Sequence, residues 1–381
     1  LENIVEYSAN KKDLNFNVSF ESYETMNRLN NDRYEFIYPN YSLENSFYFE
    51  NKFLDNLYFS SSGNQKKFST NIYESVQVND LLLTSNNIVN KFGFNNVFKS
   101  IFKNVNSDGK NSSKFKDKAQ SEILGMVSYD IDIPLIKTNV EYKNFLTPKI
   151  SIRHSPNDSK NLKDEDRLLS VDNIFSLNRI GYDQSIEGGN SLTIGLDYEK
   201  KNQEDNNTVF SSKIATVFRD EINENLPTSS TLGKKQSDFI GQINFFPDEK
   251  FKVNYNYLIN NDLDEVNLHK LSNTFQINNF VNTFTFYEEN NLIGKKSYYE
   301  NDLSYKINES NILSFRTREN KTDNLTEYYN LIYEYKNDCL TASIRYNKEY
   351  YSTSGVKPSE ELFFNITLIP LGSTKTGSIL E

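Results

Sequence analysis

Few residues of this chain belong to the types that carry out chemistry, and those few lie far apart. The sequence has two histidines, His154 and His269, and one cysteine, Cys339. A zinc site or a Ser-His-Asp triad needs several such residues in one constellation, and Cys339 has no Cys-x-x-Cys partner. We therefore predict solvated histidines, no metal or other cofactor, and a protein that is not an enzyme.

Two further patterns resemble ligand sites but are better explained as loops. The glycines of "IEGGN" and "GNSLTIG" do not form a phosphate loop followed by a helix, so we interpret Gly188 and Gly189 as turn residues. The acidic run 164–166 fits a solvated loop better than a calcium site. Lysines and arginines on the polar strand positions could contact an anionic ligand, but a solvated wall predicts the same pattern.

The composition excludes some classes of protein. The net charge of −10 is spread along the chain, and without a basic stripe we expect no nucleic-acid partner. Apolar residues make up only 36%, yet there are 28 phenylalanines and 25 tyrosines, which disordered chains lack. No apolar run approaches the ~18 residues of a membrane helix, whereas a membrane barrel needs apolar residues only at alternate positions.

Apolar and polar residues alternate along much of the chain. In residues 251–259, for example, Phe251, Val253 and Tyr255 alternate with lysine and asparagine. The same alternation occurs in residues 192–198, 239–245, 303–307, 340–346 and 362–368. A two-residue period indicates β-strands with one apolar and one polar face. Most runs cover about 9–12 residues, close to the ~9–11 of a strand that crosses a bilayer.

The predicted connections between successive strands alternate between long and short. They are residues 220–236, 247–250, 260–268, 278–280, 290–297, 308–311, 321–326, 337–338 and 350–359. Alternation within strands alone is compatible with a soluble β-sandwich or β-solenoid whose apolar face points inward. Alternating loop lengths favour an up-and-down outer-membrane barrel, with long loops outside the cell and tight periplasmic turns.

We therefore predict an all-β fold, a large antiparallel up-and-down transmembrane β-barrel. At about 20 residues per strand and connection, this length corresponds to roughly 18 strands. The apolar face would lie against lipid, and polar side chains would line a wet lumen.

Four segments resemble the LptD family of lipopolysaccharide-assembly outer-membrane proteins, also called OstA or Imp, in the C-terminal portion of its barrel. They are "RYEFIYPNYSL" at 33–43, "FLTPKISIRHSPND" at 145–158, "DNIFSLNRIGYDQSIEGGNSLTIGLDYE" at 172–199, and residues 333–373. The third is the most specific. Its residues at the family's spacing are Asn178, Arg179, Gly181, Asp183, Glu187 and Gly188. The resemblance covers nearly the whole chain.

This resemblance implies a translocon component of the Gram-negative outer membrane, which inserts lipopolysaccharide into the outer leaflet through the barrel lumen and a lateral gate. The implied partners are lipopolysaccharide, a plug lipoprotein of the LptE type, and periplasmic bridge proteins that dock on an N-terminal jellyroll. Residues 1–381 would then be the C-terminal part of the barrel domain, without the jellyroll and the first barrel strands. Because the chain begins at Leu1, we expect a cut through a longer protein.

The resemblance places one side of the lateral gate in the strand 361–369, which we expect to be the last. Its outward residues, which would offer a path to acyl chains, are Leu362, Phe364, Ile366 and Leu368. We expect this strand to descend and to leave the C-terminus in the periplasm.

Strand parity then places Asn337-Asp338 at a periplasmic turn and Cys339 in an oxidising compartment. Cysteines at this point of the family form disulfides with the N-terminal domain, so the resemblance implies such a bridge for Cys339. Many members have two adjacent cysteines, but this chain has Asp338 at one of the two positions. The alternative is a small residue at a strand start with no bridge.

Two rival functions belong to other classes. A porin or nutrient receptor would share the fold and location but not the segment 172–199. A soluble glycan-binding surface protein would turn its aromatic residues inward.

Overall fold

The structure, a computed structural model, describes residues 2–24, 33–68, 71–290, 294–350 and 358–368, and the backbone of residues 372–375. Within these ranges it consists of 22 β-strands and a short 3-10 helix at Thr231–Gly233. The strands are β1 (Glu2–Lys11), β2 (Leu14–Glu24), β3 (Tyr34–Tyr48), β4 (Leu54–Phe68), β5 (Tyr73–Ser85), β6 (Ile88–Val89), β7 (Asn95–Lys110), β8 (Gln120–Asp132), β9 (Leu135–Thr138), β10 (Tyr142–Ser155), β11 (Gly189–Asn202), β12 (Thr208–Arg219), β13 (Phe239–Asp248), β14 (Phe251–Ile259), β15 (Val266–Ile277), β16 (Phe280–Asn290), β17 (Lys295–Asn308), β18 (Asn311–Asn320), β19 (Leu325–Lys336), β20 (Leu340–Glu349), β21 (Ser359–Leu368) and β22 (Gly372–Lys375).

The predicted all-β, antiparallel fold is confirmed. Each alternating segment identified in the sequence lies in a strand, because the two-residue period is a local property of extended backbone. The strand number is 22 in the described part of the chain, against the predicted 18 or so. Three of these strands, β6, β9 and β22, have only two to four residues. The predicted number came from dividing the chain length by about 20 residues per strand and connection, which leaves such short strands uncounted.

The chain forms two compact units. Unit 1 comprises residues 1–134, 147–195 and 216–237, and in it each long strand from β2 to β10 pairs antiparallel with the long strand before it. Unit 2 comprises residues 135–146, 196–215 and 238–381. In unit 2, β9 pairs with β10, and β12 to β22 form an antiparallel meander in chain order.

Asparagine and aspartate shape the turns of this meander. Asp248 accepts hydrogen bonds from the backbone N–H groups of Lys250 and Phe251, both at 2.8 Å, and so closes the short turn between β13 and β14. Asn278, in the turn between β15 and β16, has a φ of 51°, a left-handed conformation that asparagine tolerates better than most residues. Part of the high asparagine content therefore reflects the demands of turns.

The strand faces have the reverse polarity of a soluble sheet. In β10 of unit 1, Ser151 and Arg153 are 0% and 3% exposed, whereas Ile150 and Ile152 are 39% and 50% exposed. The large apolar residues exposed on β19, β20 and β21 of unit 2 are Leu325, Leu331, Tyr333, Ile344, Phe364, Ile366 and Leu368. Apolar side chains that point outward from alternate strand positions are typical of strands that face lipid.

The strand predicted at 361–369 is β21, with residue 369 outside the described residues, and it is not the last strand, because β22 follows it. Phe364, Ile366 and Leu368 are exposed as expected, and Leu362 is half-buried. The four-residue strand β22 follows β21 and pairs antiparallel with it through Asn365–Leu368. A strand edge leaves N–H and C=O groups that need partners, and this short return strand supplies them over four residues.

Candidate functional site

The first part of the most specific sequence segment, residues 172–188, lies in a long loop between two strands. Residues 156–188, here called loop A, connect β10 to β11 without helix or strand, yet five of their apolar side chains are buried. The buried ones are Leu162, Leu169, Ile174, Ile180 and Ile186. A loop of this length with its own apolar side chains folded inward is an ordered element of the fold rather than a linker.

Loop A packs against strands of unit 1. Ile186 joins a buried cluster with Val78 of β5, Ile101 and Val105 of β7, and two residues of β8, which are Leu124 and Met126. The sequence predicted a wet polar wall on this strand face. Where loop A covers it, the face is instead apolar and dry, because the apolar side chains of the loop need apolar partners.

A second loop holds loop A in place. Residues 220–237, here called loop B, follow β12 and contribute the buried Leu226 and Leu232. The backbone N–H of Leu162 donates to the carbonyl oxygen of Asn225 at 2.7 Å. Ser229, buried in loop B, accepts the backbone N–H of Arg167 at 2.9 Å. The predicted long connection 220–236 is therefore a folded partner of loop A.

The central contact of loop A is an ion pair between two buried residues of the sequence motif. Arg179 donates from Nε and Nη2 to the two carboxylate oxygens of Glu187, each at 2.5 Å. Its remaining N–H groups reach Thr193 Oγ1 at 2.9 Å and Ser191 Oγ at 2.8 Å on β11. Arg219, at the end of β12, also donates to Glu187. Two arginines from different segments therefore hold one carboxylate.

This setting fixes the charge state of Glu187. Burial alone would raise the pKa of the carboxyl group. The charge and hydrogen bonds of Arg179, together with the charges of Arg153 and Arg219, outweigh burial and lower the pKa of Glu187 to about 2. Glu187 is therefore ionised at neutral pH, and it acts as a structural anchor rather than as a proton donor.

The glycines of the motif meet steric demands. Gly181 has a φ of +66°, a conformation that side chains with a Cβ rarely adopt. At Gly188 a Cβ would lie 2.2 Å from the backbone oxygen of Asn157. Gly189 has a φ of +82° where β11 begins. Gly188 and Gly189 were predicted as turn residues, and the structure adds that Gly188 allows the two ends of loop A to approach each other closely.

The two remaining motif residues have local roles. Asn178 Oδ1 accepts the backbone N–H of Gly181 at 3.1 Å and shapes the turn. Asp183 lines a cleft of about 200 Å³ with Asp80, Ser61 and neighbouring side chains. The structure therefore brings Arg179, Glu187 and Gly188 together at one point and places Asp183 apart from them.

Sequence reasoning missed Arg153, Arg219, Ser191 and Thr193 as neighbours of the motif. Arg153 and Thr193 occupy polar positions of alternating strands, where a solvated wall was the simplest interpretation. Their burial follows only from the fold of loop A, which periodicity does not predict.

The other predicted residues lie apart from this site. Cys339 is exposed and carries a free thiol in the turn between β19 and β20, where Asn337 Oδ1 accepts its backbone N–H at 2.9 Å. His154 Nδ1 lies 2.6 Å from Asn190 Oδ1, and His269 Nδ1 lies 2.7 Å from the hydroxyl oxygen of Tyr255. No cluster of three or more His, Cys, Asp or Glu residues that could hold a metal ion occurs in the described ranges. Nor does any helix there have the length and hydropathy to span a bilayer.

Comparison with known proteins bears on both family and fold. The sequence profile of a family described as LptD, LPS transport system D, matches residues 1–297. A search of curated proteins gave no match. A mutant of the ferric enterobactin receptor PfeA from Pseudomonas aeruginosa is similar in structure, with a TM-score of 0.50 and 8% identity over 96% of this chain and 70% of that chain.

Two further solved structures have lower scores. The siderophore receptor PirA from Acinetobacter baumannii has a TM-score of 0.47 and 8% identity, over 96% of this chain and 71% of that chain. A mutant porin of Rh. blastica has a TM-score of 0.30 and 9% identity, over 73% of this chain and 86% of that chain. At such identities the likeness to PfeA concerns the fold alone, which is that of a large outer-membrane β-barrel, and the two lower scores add nothing to it.

Proposed function

The chain belongs to the LptD family, LPS transport system D, and from this premise we propose that it inserts lipopolysaccharide into the outer leaflet of the outer membrane. It is an outer-membrane β-barrel of lipopolysaccharide transport. In the proposed mechanism the sugars pass through the barrel interior, and the acyl chains leave sideways past β21. No bond is made or broken, so the protein works without a catalytic residue or cofactor.

One observation supports this proposal over a soluble glycan-binding protein, namely the reversed polarity of the strand faces. An aqueous sheet buries its apolar residues, but here Ile152 is half-exposed beside the fully buried Ser151. On β21 the exposed Phe364 stands directly opposite the exposed Ile344 of β20. This apolar row could carry acyl chains along the last long strand.

The proposal includes partners outside this chain. A plug lipoprotein of the LptE type would occupy the barrel, and periplasmic bridge proteins would deliver lipopolysaccharide through an N-terminal jellyroll. We place the C-terminus and the turn at Cys339 in the periplasm. There the exposed thiol would form a disulfide with the N-terminal domain. A thiol of the full-length protein that reacts with maleimide before any reduction would contradict this bridge.

Depletion of the protein in its own cells tests the function. With its gene under a repressible promoter, newly made lipopolysaccharide should stop reaching the cell surface, while previously inserted porins remain folded. Surface labelling of lipopolysaccharide measures this. If delivery continues and uptake of a small solute fails instead, the protein is a porin or a nutrient receptor.

A further inference from the structure

A third arginine of unit 1 lies beside the motif without a hydrogen-bond partner. Arg153, near the end of β10, is 3% exposed, and none of its three guanidinium nitrogens makes a hydrogen bond. Its neighbours on the same face are satisfied. Ser151 donates to Asp130 at 2.5 Å, and Ser155 donates to the carbonyl oxygen of Gly125 at 2.8 Å. Of these three residues on one face of β10, Arg153 alone lacks a hydrogen-bond partner.

The residue directly across from Arg153 also lacks a partner. Ser128 of β8 stands opposite Arg153 in the antiparallel register, is 2% exposed, and has a hydroxyl group without a hydrogen bond. Side chains at directly opposed positions share one face of the sheet, with Cβ atoms about 4.5–5.5 Å apart. Buried polar atoms that stay unpaired are rare in folded proteins, and here two such residues face each other across one strand pair.

The charges around Arg153 do not balance. Glu187 lies in the field of three guanidinium groups, those of Arg179, Arg153 and Arg219, and its oxygens are already bound by Arg179 and Arg219. The nearby Asp130 is engaged by Lys99 at 2.8 Å. The three buried guanidinium groups and the single buried carboxylate of Glu187 therefore carry an excess of positive charge away from solvent.

Buried charge of this kind needs an anion. An isolated charge away from water is costly unless it is paired, and a trapped water molecule can accept its N–H bonds but cannot neutralise it. The planar guanidinium group donates in parallel to two oxygens of one anion, and a hydroxyl group can donate to a third. Phosphate has this arrangement of oxygens.

We propose that Arg153 and Ser128 form an oxyanion subsite on the polar face of unit 1 that binds a phosphate group. The group can come from free phosphate or from a phosphate-bearing lipid headgroup. The subsite is independent of the proposed transport function.

Phosphate binding to the purified full-length chain in detergent tests the subsite. The thermal midpoint should rise saturably with inorganic phosphate at constant ionic strength. Arg153→Met removes the unpaired charge but keeps similar volume, so it should fold, as shown by heat-modifiable gel mobility. It should weaken phosphate binding roughly tenfold or more, because hydrogen bonds to a charged group are lost. Ser128→Ala should weaken binding less. Arg345→Met, on the exposed part of β20, is the matched control and should bind as the wild type does.

Vesicles distinguish the sources of phosphate. If phosphatidic acid in phosphatidylcholine vesicles competes for Arg153 and phosphatidylcholine alone does not, the subsite takes a lipid phosphomonoester. If only inorganic phosphate binds, the subsite takes the free ion. An equal rise of the midpoint in Arg153→Met, an equal rise with chloride, or no rise at all would overturn the proposal, since simple counter-ions or water would then satisfy Arg153.

Discussion

Arg179 and Glu187, eight residues apart in loop A, form a buried ion pair in which both carboxylate oxygens accept hydrogen bonds at 2.5 Å. The pair closes loop A on itself, and Arg219 ties it to the end of β12. Side chains of the sequence motif that identifies the family thus hold a loop against the strands of unit 1.

Replacement of Glu187 should release loop A. Glu187→Gln leaves Arg179 and Arg219 buried without a counter-charge, and loss of one partner of a buried pair costs about 3–5 kcal/mol. We expect rapid proteolytic cleavage between residues 156 and 188, with the strands still protected. Glu224→Gln is the matched control, because Glu224 lies exposed in loop B. Equal protection of loop A in both variants would contradict the anchoring role.

Acid should loosen the same contact. The pKa of Glu187 in the fold is about 2, below its ordinary value of 4.5, so the unfolded loop binds a proton more readily than the folded one. The stability from this group is fully present above pH 4.5 and is lost as the pH falls towards 2. Limited proteolysis by an acid-active protease should therefore show loop A opening in that window. The Glu187→Gln variant should show no such step, and an identical acid step in both proteins would assign it to another group.

A methyl group at Gly188 should act like loss of the ion pair. In Gly188→Ala the new Cβ would meet the backbone oxygen of Asn157 at 2.2 Å, a clash with main chain that side-chain rotation cannot relieve. Overpacking of this kind costs about 1–3 kcal/mol. The thermal midpoint should fall and loop A should become cleavable. Gly294→Ala, where a Cβ has open space, should leave both unchanged. A stable Gly188→Ala variant would mean that the two ends of loop A do not approach as described.

The two faces of β20 should respond differently to arginine. Ile344 is exposed and stands opposite the exposed Tyr333 and Phe364, so Ile344→Arg puts a charge on the lipid face at a cost of ~2–4 kcal/mol near mid-membrane. Ser343 is one residue earlier and faces the other way, with Glu334 across from it. Ser343→Arg should therefore leave the free energy of unfolding nearly unchanged. Unfolding in lipid vesicles with urea measures both. Similar costs at the two positions would show that the lipid-facing side has been assigned wrongly.

The sequence predicted these strands well because alternation is a local signal, and it recurs in six segments from residue 192 onward. It could not predict how loop A folds. The buried apolar residues of loop A follow neither the two-residue nor the 3.6-residue period, and Ile186 finds its partners on strands about 60 to 108 residues away in the chain, such as Val78 and Ile101. Arg153 and Arg219 looked like ordinary polar positions for the same reason. The resemblance singled out Arg179, Glu187 and Gly188, and only the structure gives the physical reason for each.

Lateral exit past β21 is the central claim of the proposed mechanism. Leu362 lies outside the four-residue register that β22 makes with β21, so a cysteine there can reach a neighbouring strand. The most direct measurement joins Leu362→Cys by a disulfide to a cysteine in the first barrel strand of the full-length protein, and follows lipopolysaccharide arrival at the cell surface before and after reduction. The account predicts that delivery stops while the crosslink is formed, resumes when it is reduced, and leaves the barrel folded throughout. Normal delivery with the crosslink fully formed would contradict lateral exit.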